Sequence, residues 1–266
     1  MTLWELAHTP FGYAVAAVAG LVVGSFLNVV IHRLPKGESV VSPPSRCPSC
    51  GARVRPLDNV PVFSWVLLGG KCRSCRAPIS IRYPIVEIAN GLLWTLVLAA
   101  APAGSWGDVA TGAFLASACI ALTAIDLDEW ILPDWITLPG TAVGLALSFF
   151  SVRRTPLQEL AGAALGAGGL FLLRFVYERI TRREGMGLGD VKMLGMMGAL
   201  LGPLGALVGT FVAAVTGSVV GLALIGLRGG DGKTQIKFGP FLAFGAVFAW
   251  FFAAPLTAWY RSLLPR

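Results

Sequence analysis

Long apolar stretches alternate with short polar segments along almost the whole chain. Most apolar stretches are near the ~20 residues that a helix needs to cross a bilayer. We place them at about residues 11–31, 85–101, 109–125, 135–150, 160–176, 190–201, 204–227 and 241–259. The sixth is short because Gly202 and Pro203 interrupt it. The pattern predicts an all-α polytopic membrane protein with about eight transmembrane helices.

Composition agrees with a chain surrounded by lipid. Only 13% of the residues are charged, 55% are hydrophobic, and the mean hydropathy is +0.73. A soluble domain carries about 25% charged residues. The net charge of +7 could indicate nucleic-acid binding, but the basic residues lie in loops between apolar stretches. That distribution is a topology signal, so we expect the lipid bilayer as a partner and no nucleic acid.

Basic residues also predict the orientation in the membrane. With residues 32–84 in the cytoplasm and eight alternating spans, 17 of the 21 Lys and Arg residues fall on the cytoplasmic side. This positive-inside bias predicts that both termini are extracytoplasmic. The opening residues, MTLWELAHTP, lack the basic region of a cleavable signal peptide. We therefore expect the first apolar stretch to remain as the first span.

The loop of residues 32–84 contains two CxxC motifs, formed by Cys47 with Cys50 and by Cys72 with Cys75. Two such motifs at this spacing predict a tetrahedral zinc site in a small, cytoplasmic, zinc-ribbon-like domain between the first two membrane helices. Disulfides are the alternative, but a cytoplasmic loop is reducing. A redox role for one motif is another, which the duplication disfavours. Four thiolates close the coordination shell, so we expect a structural ion.

Ionisable side chains at membrane depth are costly and are therefore candidates for function. The acidic residues at the edges of the predicted spans are Glu87, Asp126, Asp128, Glu129, Asp134 and Asp190. Asp134 follows a proline and suits an N-cap of the fourth span. Asp126 and Asp190 remain as two carboxylates that different helices present on one side of the membrane.

Such a pair suits peptide hydrolysis. Two carboxylates within a few ångströms cannot both ionise easily, so one of them keeps a proton. The ionised partner can take a proton from water while the protonated one polarises a carbonyl, as an aspartyl protease requires. A Ser–His arrangement is disfavoured because the chain has only two histidines, His8 and His32, and His8 is expected on the opposite side.

Several neighbouring residues are candidates for supporting roles. Gly187 and Gly189 precede Asp190 and permit the close approach of a peptide, although small residues also serve helix packing. Lys192 can pair with a carboxylate or extend to the membrane interface. Glu87 and Asn90 lie on one helix face. They can form a polar site near the cysteine loop or a hydrogen bond between helices.

At these residues the sequence resembles the type IV prepilin leader peptidases, bacterial membrane aspartyl proteases of the GxGD class. The resemblance covers nearly the whole chain and is carried by GSFLNVVIHRLP (24–35), PISIRYPIVE (78–87), IDLDEWILPD (125–134), GMGLGDVK (185–192) and FGPFLAFGA (238–246). It implies that Asp126 and Asp190 are the catalytic residues.

The resemblance also implies two activities and a division of the chain. Enzymes of this family cut prepilins and pseudopilins at the cytoplasmic face of the inner membrane, after the glycine that precedes a phenylalanine. Many then methylate the new N-terminal amine with S-adenosylmethionine. We expect a first membrane helix (1–31), a zinc-binding and methyltransferase region (32–84) and a transmembrane peptidase core (85–266).

Some alternatives stay open at this point. No βαβ pattern with a GxGxxG motif identifies residues for S-adenosylmethionine, and nothing in the sequence fixes the oligomeric state. Paired intramembrane carboxylates also couple transport to protons or ions. A membrane transporter is therefore the alternative function, although the spans show no internal repeat.

Overall fold

A computed structural model describes residues 2–182, 185–228 and 236–263 of the chain. Within these ranges the protein is helical and has no strand beyond two isolated β-bridges, Arg46 with Arg53 and Lys71 with Pro78. Contacts divide the chain into two compact units, Met1–Gly104 and Ser105–Arg266.

The first unit is built on two long helices that pack against each other. Its helices are α1 (Leu3–Ala7), α2 (Pro10–Arg33), α3 (Phe63–Leu67) and α4 (Arg82–Ala100). Thr9 caps α2 by accepting the Gly12 N–H at 3.3 Å, which satisfies a donor that the first helical turn leaves free. The buried Asn90 side chain donates to the Gly20 carbonyl at 2.7 Å and ties α4 to α2.

The second unit is a bundle of five helices. They are α5 (Trp106–Glu129), α6 (Asp134–Leu147), α7 (Pro156–Thr181), α8 (Leu188–Arg228) and α9 (Gly239–Leu263). Its core lies along α5 and the first half of α8, where Leu122, Ile125 and Met196 have no exposed surface. Helices α7 and α8 approach closely, because a Cβ at Gly166 would come within 2.7 Å of the Leu194 carbonyl oxygen.

Helix α8 is interrupted at Gly202. This residue has φ 70° and ψ 179°, a conformation that only glycine adopts without strain, and Pro203 follows it. The interruption separates a first half, residues 188–201, from a second half, residues 203–228. The sequence predicts this break at Gly202 and Pro203.

In the described part of the chain, six helices are long and apolar enough to cross a membrane, which confirms the all-α polytopic class: α2, α4, α5, α7, α8 and α9. Helix α6 has only 14 residues, and the stretch Leu188–Leu227 is counted as one segment of 40 residues. Eight membrane segments result if α6 counts as one and α8 as two, so the number eight stays a prediction. The division at 31 and 84 also stays a prediction.

Candidate active site and metal centre

Asp126 lies near the C-terminal end of α5 and is 6% exposed. Its Oδ2 atom is buried and has no hydrogen-bond partner among the described residues. The carboxylate packs against the first residue of α9, because a Cβ at Gly239 would lie 2.6 Å from Oδ2. A side chain at position 239 would therefore displace Asp126.

Asp190 is the third residue of α8 and is half-buried. Its carboxylate turns back toward the start of the helix, since a Cβ at Gly187 would lie 3.5 Å from Asp190 Oδ2. The helix N-terminus favours negative charge at this position. Asp126 and Asp190 are close enough for their charges to act on each other. The structure therefore brings the two predicted catalytic carboxylates together at one end of the second unit.

The loop between α5 and α6 places the side chain of Leu132 at this centre. A Cβ at Gly189 would lie 3.0 Å from Leu132 Cβ, and a Cβ at Gly239 would lie 3.1 Å from Leu132 Cδ2. The glycines on both sides of Leu132 thus adjoin Asp190 and Asp126. The sequence pattern did not single out Leu132, although it lies within the segment IDLDEWILPD.

Lys192 forms an ion pair with Asp134. Its Nζ donates to both carboxylate oxygens at 2.7 Å, so Lys192 pairs with a carboxylate rather than only extending to the interface. The N-cap prediction for Asp134 is wrong. Pro133 is the N-cap of α6, and Asp134 is already its first helical residue. The Asp134 carboxylate binds the Lys192 ammonium group instead.

Lys237, just before α9, holds the other end of the same loop. Its Nζ donates to the Leu127 carbonyl at 2.6 Å and lies 4.3 Å from the centroid of the Trp130 ring. Trp130 ends α5 in the left-handed conformation, with φ 58°. The sequence analysis did not identify Lys237 as a candidate site residue, although Lys237 directly precedes the motif FGPFLAFGA (238–246).

Glu87 and Asn90 make structural contacts within the first unit. Glu87 accepts the Val62 N–H at 2.7 Å, and Asn90 donates to the Gly20 carbonyl. Both side chains are buried. These contacts agree with the alternative of a structural hydrogen bond, and a role in a substrate site remains a prediction.

The four cysteines of the two CxxC motifs converge. Their Sγ atoms all lie within 4.8 Å of one another, and the Sγ atoms of Cys47 and Cys75 are 3.8 Å apart. A tetrahedron with Zn–S bonds of about 2.3 Å has sulfur–sulfur edges of roughly 3.8 Å. None of these cysteines is in a disulfide. The set therefore fits a metal ion held by four thiolates.

Backbone turns aim the sulfurs inward. Gly51 N–H bonds to the Cys47 carbonyl at 2.9 Å, and Arg76 N–H bonds to the Cys72 carbonyl at 3.0 Å. The backbone N–H groups of Cys50 and Ser49 lower the pKa of the Cys47 thiol to about 6. Burial and hydrogen bonds with the other three thiols raise the pKa of Cys75 to about 11, so without a metal the thiols share protons.

An ion pair lies beside the second CxxC motif. Arg73 donates from Nε and Nη2 to the Asp58 carboxylate, with distances of 2.6–3.0 Å. These hydrogen bonds hold the pKa of Asp58 below its usual value.

Two buried carboxylates that the sequence analysis did not single out lie at the N-terminal ends of α5 and α7. Asp108 and Glu159 are 0% and 1% exposed. The predicted spans begin at about 109 and 160, so both residues were placed in loops. The helices begin earlier, at Trp106 and Pro156. The neighbouring Arg153 and Arg154 were the available signal for a buried charge.

Arg154 joins these carboxylates into one polar cluster, defined here as Asp108, Arg154 and Glu159. Its Nη2 lies 3.6 Å from Asp108 Oδ1, and its Nε donates to Glu159. Glu159 in turn accepts the Gly202 N–H at 3.0 Å. The cluster thereby ties α5 and α7 to the interruption of α8.

Fold and site together define a polytopic helical membrane protein with a two-aspartate centre and a four-thiol site in its first unit. Comparison with known proteins then gives its family. Residues 18–101 match the bacterial peptidase A24 N-terminal domain, and residues 113–222 match the type IV leader peptidase family. The chain belongs to the type IV leader peptidase family and is an enzyme.

Named relatives cover nearly the whole chain. The prepilin leader peptidase/N-methyltransferase of Aeromonas hydrophila is 37% identical over 98% of each chain. That of Pseudomonas aeruginosa is 35% identical over 96% of each chain, and that of Myxococcus xanthus is 39% identical over 78% of this chain and 62% of its own. No solved structure matches the chain. These comparisons give no support to the transporter alternative.

Proposed function

We propose that this protein cuts the leader peptides of type IV prepilins and pseudopilins with Asp126 and Asp190, and then methylates the new N-terminal amine. The observation that carries the proposal is that two carboxylates from different helices adjoin the same side chain, Leu132, through Gly189 and Gly239. One of them has a buried oxygen without a partner among the described residues. Relatives named for both activities match over nearly the full chain, which supports the substrate class.

Hydrolysis needs only these two groups and one water. The ionised aspartate accepts a proton as the water oxygen bonds to the scissile carbonyl carbon, while the protonated aspartate donates its proton to the carbonyl oxygen. The tetrahedral intermediate then expels the amine. The C–N bond breaks, the nitrogen takes a proton from the aspartate that accepted one, and the other aspartate recovers its proton from the new carboxyl group.

Cleavage takes place at the cytoplasmic face of the bacterial inner membrane in this proposal. The support is the charge distribution, because 17 of the 21 basic residues fall on the side of the cysteine loop. A hydrophobic substrate helix can remain in the bilayer while its polar leader reaches the dyad from that side.

The first unit holds the ion and the second activity in this proposal. Cys47, Cys50, Cys72 and Cys75 hold a structural Zn²⁺ that cross-links the loop and supplies no reacting group. S-adenosylmethionine is the methyl donor, which matches the N-methyltransferase in the names of the full-length relatives. The new α-amine is the group that receives the methyl.

The test is cleavage of a prepilin by purified full-length protein in detergent. Asp126→Asn and Asp190→Asn should each abolish cutting while the variant still elutes as a folded protein. Asp128→Asn is the matched control, because Asp128 is exposed and lies two residues from Asp126, and it should cut normally. Normal cutting by either dyad variant would refute the dyad. Proton or ion flux in liposomes without any cleavage would instead favour the transporter.

A further inference from the structure

Leu132 occupies a position between the two halves of the catalytic centre. Its Cβ lies 3.0 Å from the point where a Cβ at Gly189 would stand, and its Cδ2 lies 3.1 Å from the corresponding point at Gly239. Asp126 Oδ2 lies 2.6 Å from that second point, and Asp190 directly follows Gly189. Leu132 therefore adjoins the glycines that lie next to both aspartates.

The loop that carries Leu132 is fixed at both ends. On one side Lys237 binds the Leu127 carbonyl and lies over the Trp130 ring. On the other side Asp134 binds Lys192 through both carboxylate oxygens. Since each lysine lies two residues from Gly239 or Asp190, the loop is tied to the segments that form the site. Leu132 is thus a wall of the site, on a loop that contacts both segments.

We propose that Leu132 sets the size limit for the residue that supplies the scissile carbonyl. The dyad acts on the carbonyl carbon, and the side chain nearest to that carbon is on the same residue. A leucine packed between two glycines at this place leaves room for a residue without a side chain and overlaps with a larger one. The inference rests on the proposed peptidase function and names a specificity-determining residue of that site.

We expect Leu132 to produce a moderate difference in kcat/KM between substrates with glycine and with alanine before the scissile bond. A pocket that must exclude one methyl or methylene group separates two substrates by about 10–200-fold. Shortening Leu132 removes the methyl groups that would overlap with an added Cβ. The preference for glycine over alanine before the scissile bond should therefore fall, and cleavage after glycine should continue.

The experiment compares kcat/KM for two prepilin substrates that differ only in glycine or alanine before the scissile bond. In Leu132→Ala the alanine-to-glycine ratio should rise by about tenfold or more. Ile131→Ala is the matched control: it makes a similar change in size one residue earlier, at a side chain that is 43% exposed. Its ratio should equal that of the wild type. Leu132→Val, a smaller change, should give an intermediate ratio and serves if Leu132→Ala does not fold.

The outcomes separate the two proposals. An unchanged ratio in folded Leu132→Ala and Leu132→Val, with glycine still accepted, would overturn the role of Leu132 and leave the peptidase function standing. Folded Leu132 variants that cut neither substrate would also overturn it, because the wall would then be needed for cleavage itself. A wild-type protein that cuts neither substrate would overturn the proposed function.

Discussion

Helix α5 carries one buried aspartate near each end, and the two differ in their partners. Asp108 accepts hydrogen bonds from Ser151 Oγ at 2.8 Å and Val152 N–H at 3.0 Å, beside the Arg154 guanidinium group. Asp126 is almost as buried, yet its Oδ2 has no partner among the described residues. Burial alone therefore does not distinguish a carboxylate held by polar partners from one with an oxygen that lacks a partner.

The difference follows from the cost of burying charge. A buried carboxylate is tolerated when donors and a cation replace water, as at the polar cluster. A buried carboxylate oxygen that lacks a partner costs stability, and such groups are retained where function requires them. The polar cluster ties helix ends together, while Asp126 keeps an oxygen without a hydrogen-bond partner among the described residues.

Exchanging the carboxylates for amides should give opposite results at the two ends of α5. Asp126→Asn should lower kcat/KM by more than about 1,000-fold, because the dyad loses a group that must exchange a proton. Its melting temperature should stay the same or rise, since no hydrogen bond to Oδ2 is lost. Asp108→Asn should lower the melting temperature and leave kcat/KM within about threefold in the folded fraction. Thermal unfolding and cleavage assays on the same preparations give both quantities.

A fall in melting temperature for Asp126→Asn as large as that for Asp108→Asn would contradict the proposed difference between a stabilising Asp108 and an Asp126 that acts in cleavage. So would loss of cleavage in well-folded Asp108→Asn protein.

Removing the cation of the polar cluster should give the largest loss of stability. Arg154→Met leaves Asp108 and Glu159 buried without their counter-ion, which costs about 3–5 kcal/mol for a buried pair. Chemical denaturation in detergent micelles measures the change. Arg153→Met is the matched control, because both guanidinium groups lie over the Trp250 ring, at 5.2 and 5.4 Å. It should cost clearly less, since the bond from Arg154 to Glu159 remains. Equal losses of stability in the two variants would show that the contact with Trp250, and not the ion pairs of Arg154, provides the stabilisation.

The four-thiol site has a proposed structural role, unlike the proposed catalytic role of Asp126. Cys47→Ser, or removal of the ion by a strong chelator, should release about one zinc per chain, because three thiolates hold it less tightly. Methylation or stability should suffer more than peptide hydrolysis. Metal analysis with parallel cleavage and methylation assays checks both parts. Cys119→Ser is the control, since Cys119 is a buried thiol outside the tetrad, and it should keep the zinc. Normal methylation by stable, zinc-free protein would contradict the structural role.

The ion pair of Arg73 with Asp58, in which the Arg73 side chain is 54% exposed, should have the smallest effect. Hydrogen bonding to Arg73 lowers the pKa of Asp58 in the folded protein, so its stabilisation is present above the unfolded pKa of about 3.9. It should disappear as the pH falls through the lower, folded pKa. The melting temperature of the wild type should therefore fall more steeply than that of Asp58→Asn below about pH 4. Parallel curves for the two proteins would show that solvent screens the pair completely.

Local patterns were sufficient for much of the architecture. The apolar stretches predicted the six long apolar helices, and Gly202 with Pro203 predicted the interruption of α8. The spacing of the CxxC motifs predicted the convergence of four thiols. Helix boundaries were less accurate: α5 and α7 begin three to four residues before the predicted spans, and this shift hid Asp108 and Glu159.

The sequence by itself determined the membrane class, the four-thiol set and the two candidate aspartates, because each depends on residue type and spacing along a short segment. Only the tertiary structure decided which carboxylates are paired: Asp134 with Lys192, and Asp108 and Glu159 with Arg154. It also placed Leu132 between Gly189 and Gly239. The physical reason is that pairing and packing depend on which helix ends meet, and residues distant in the chain set those meetings.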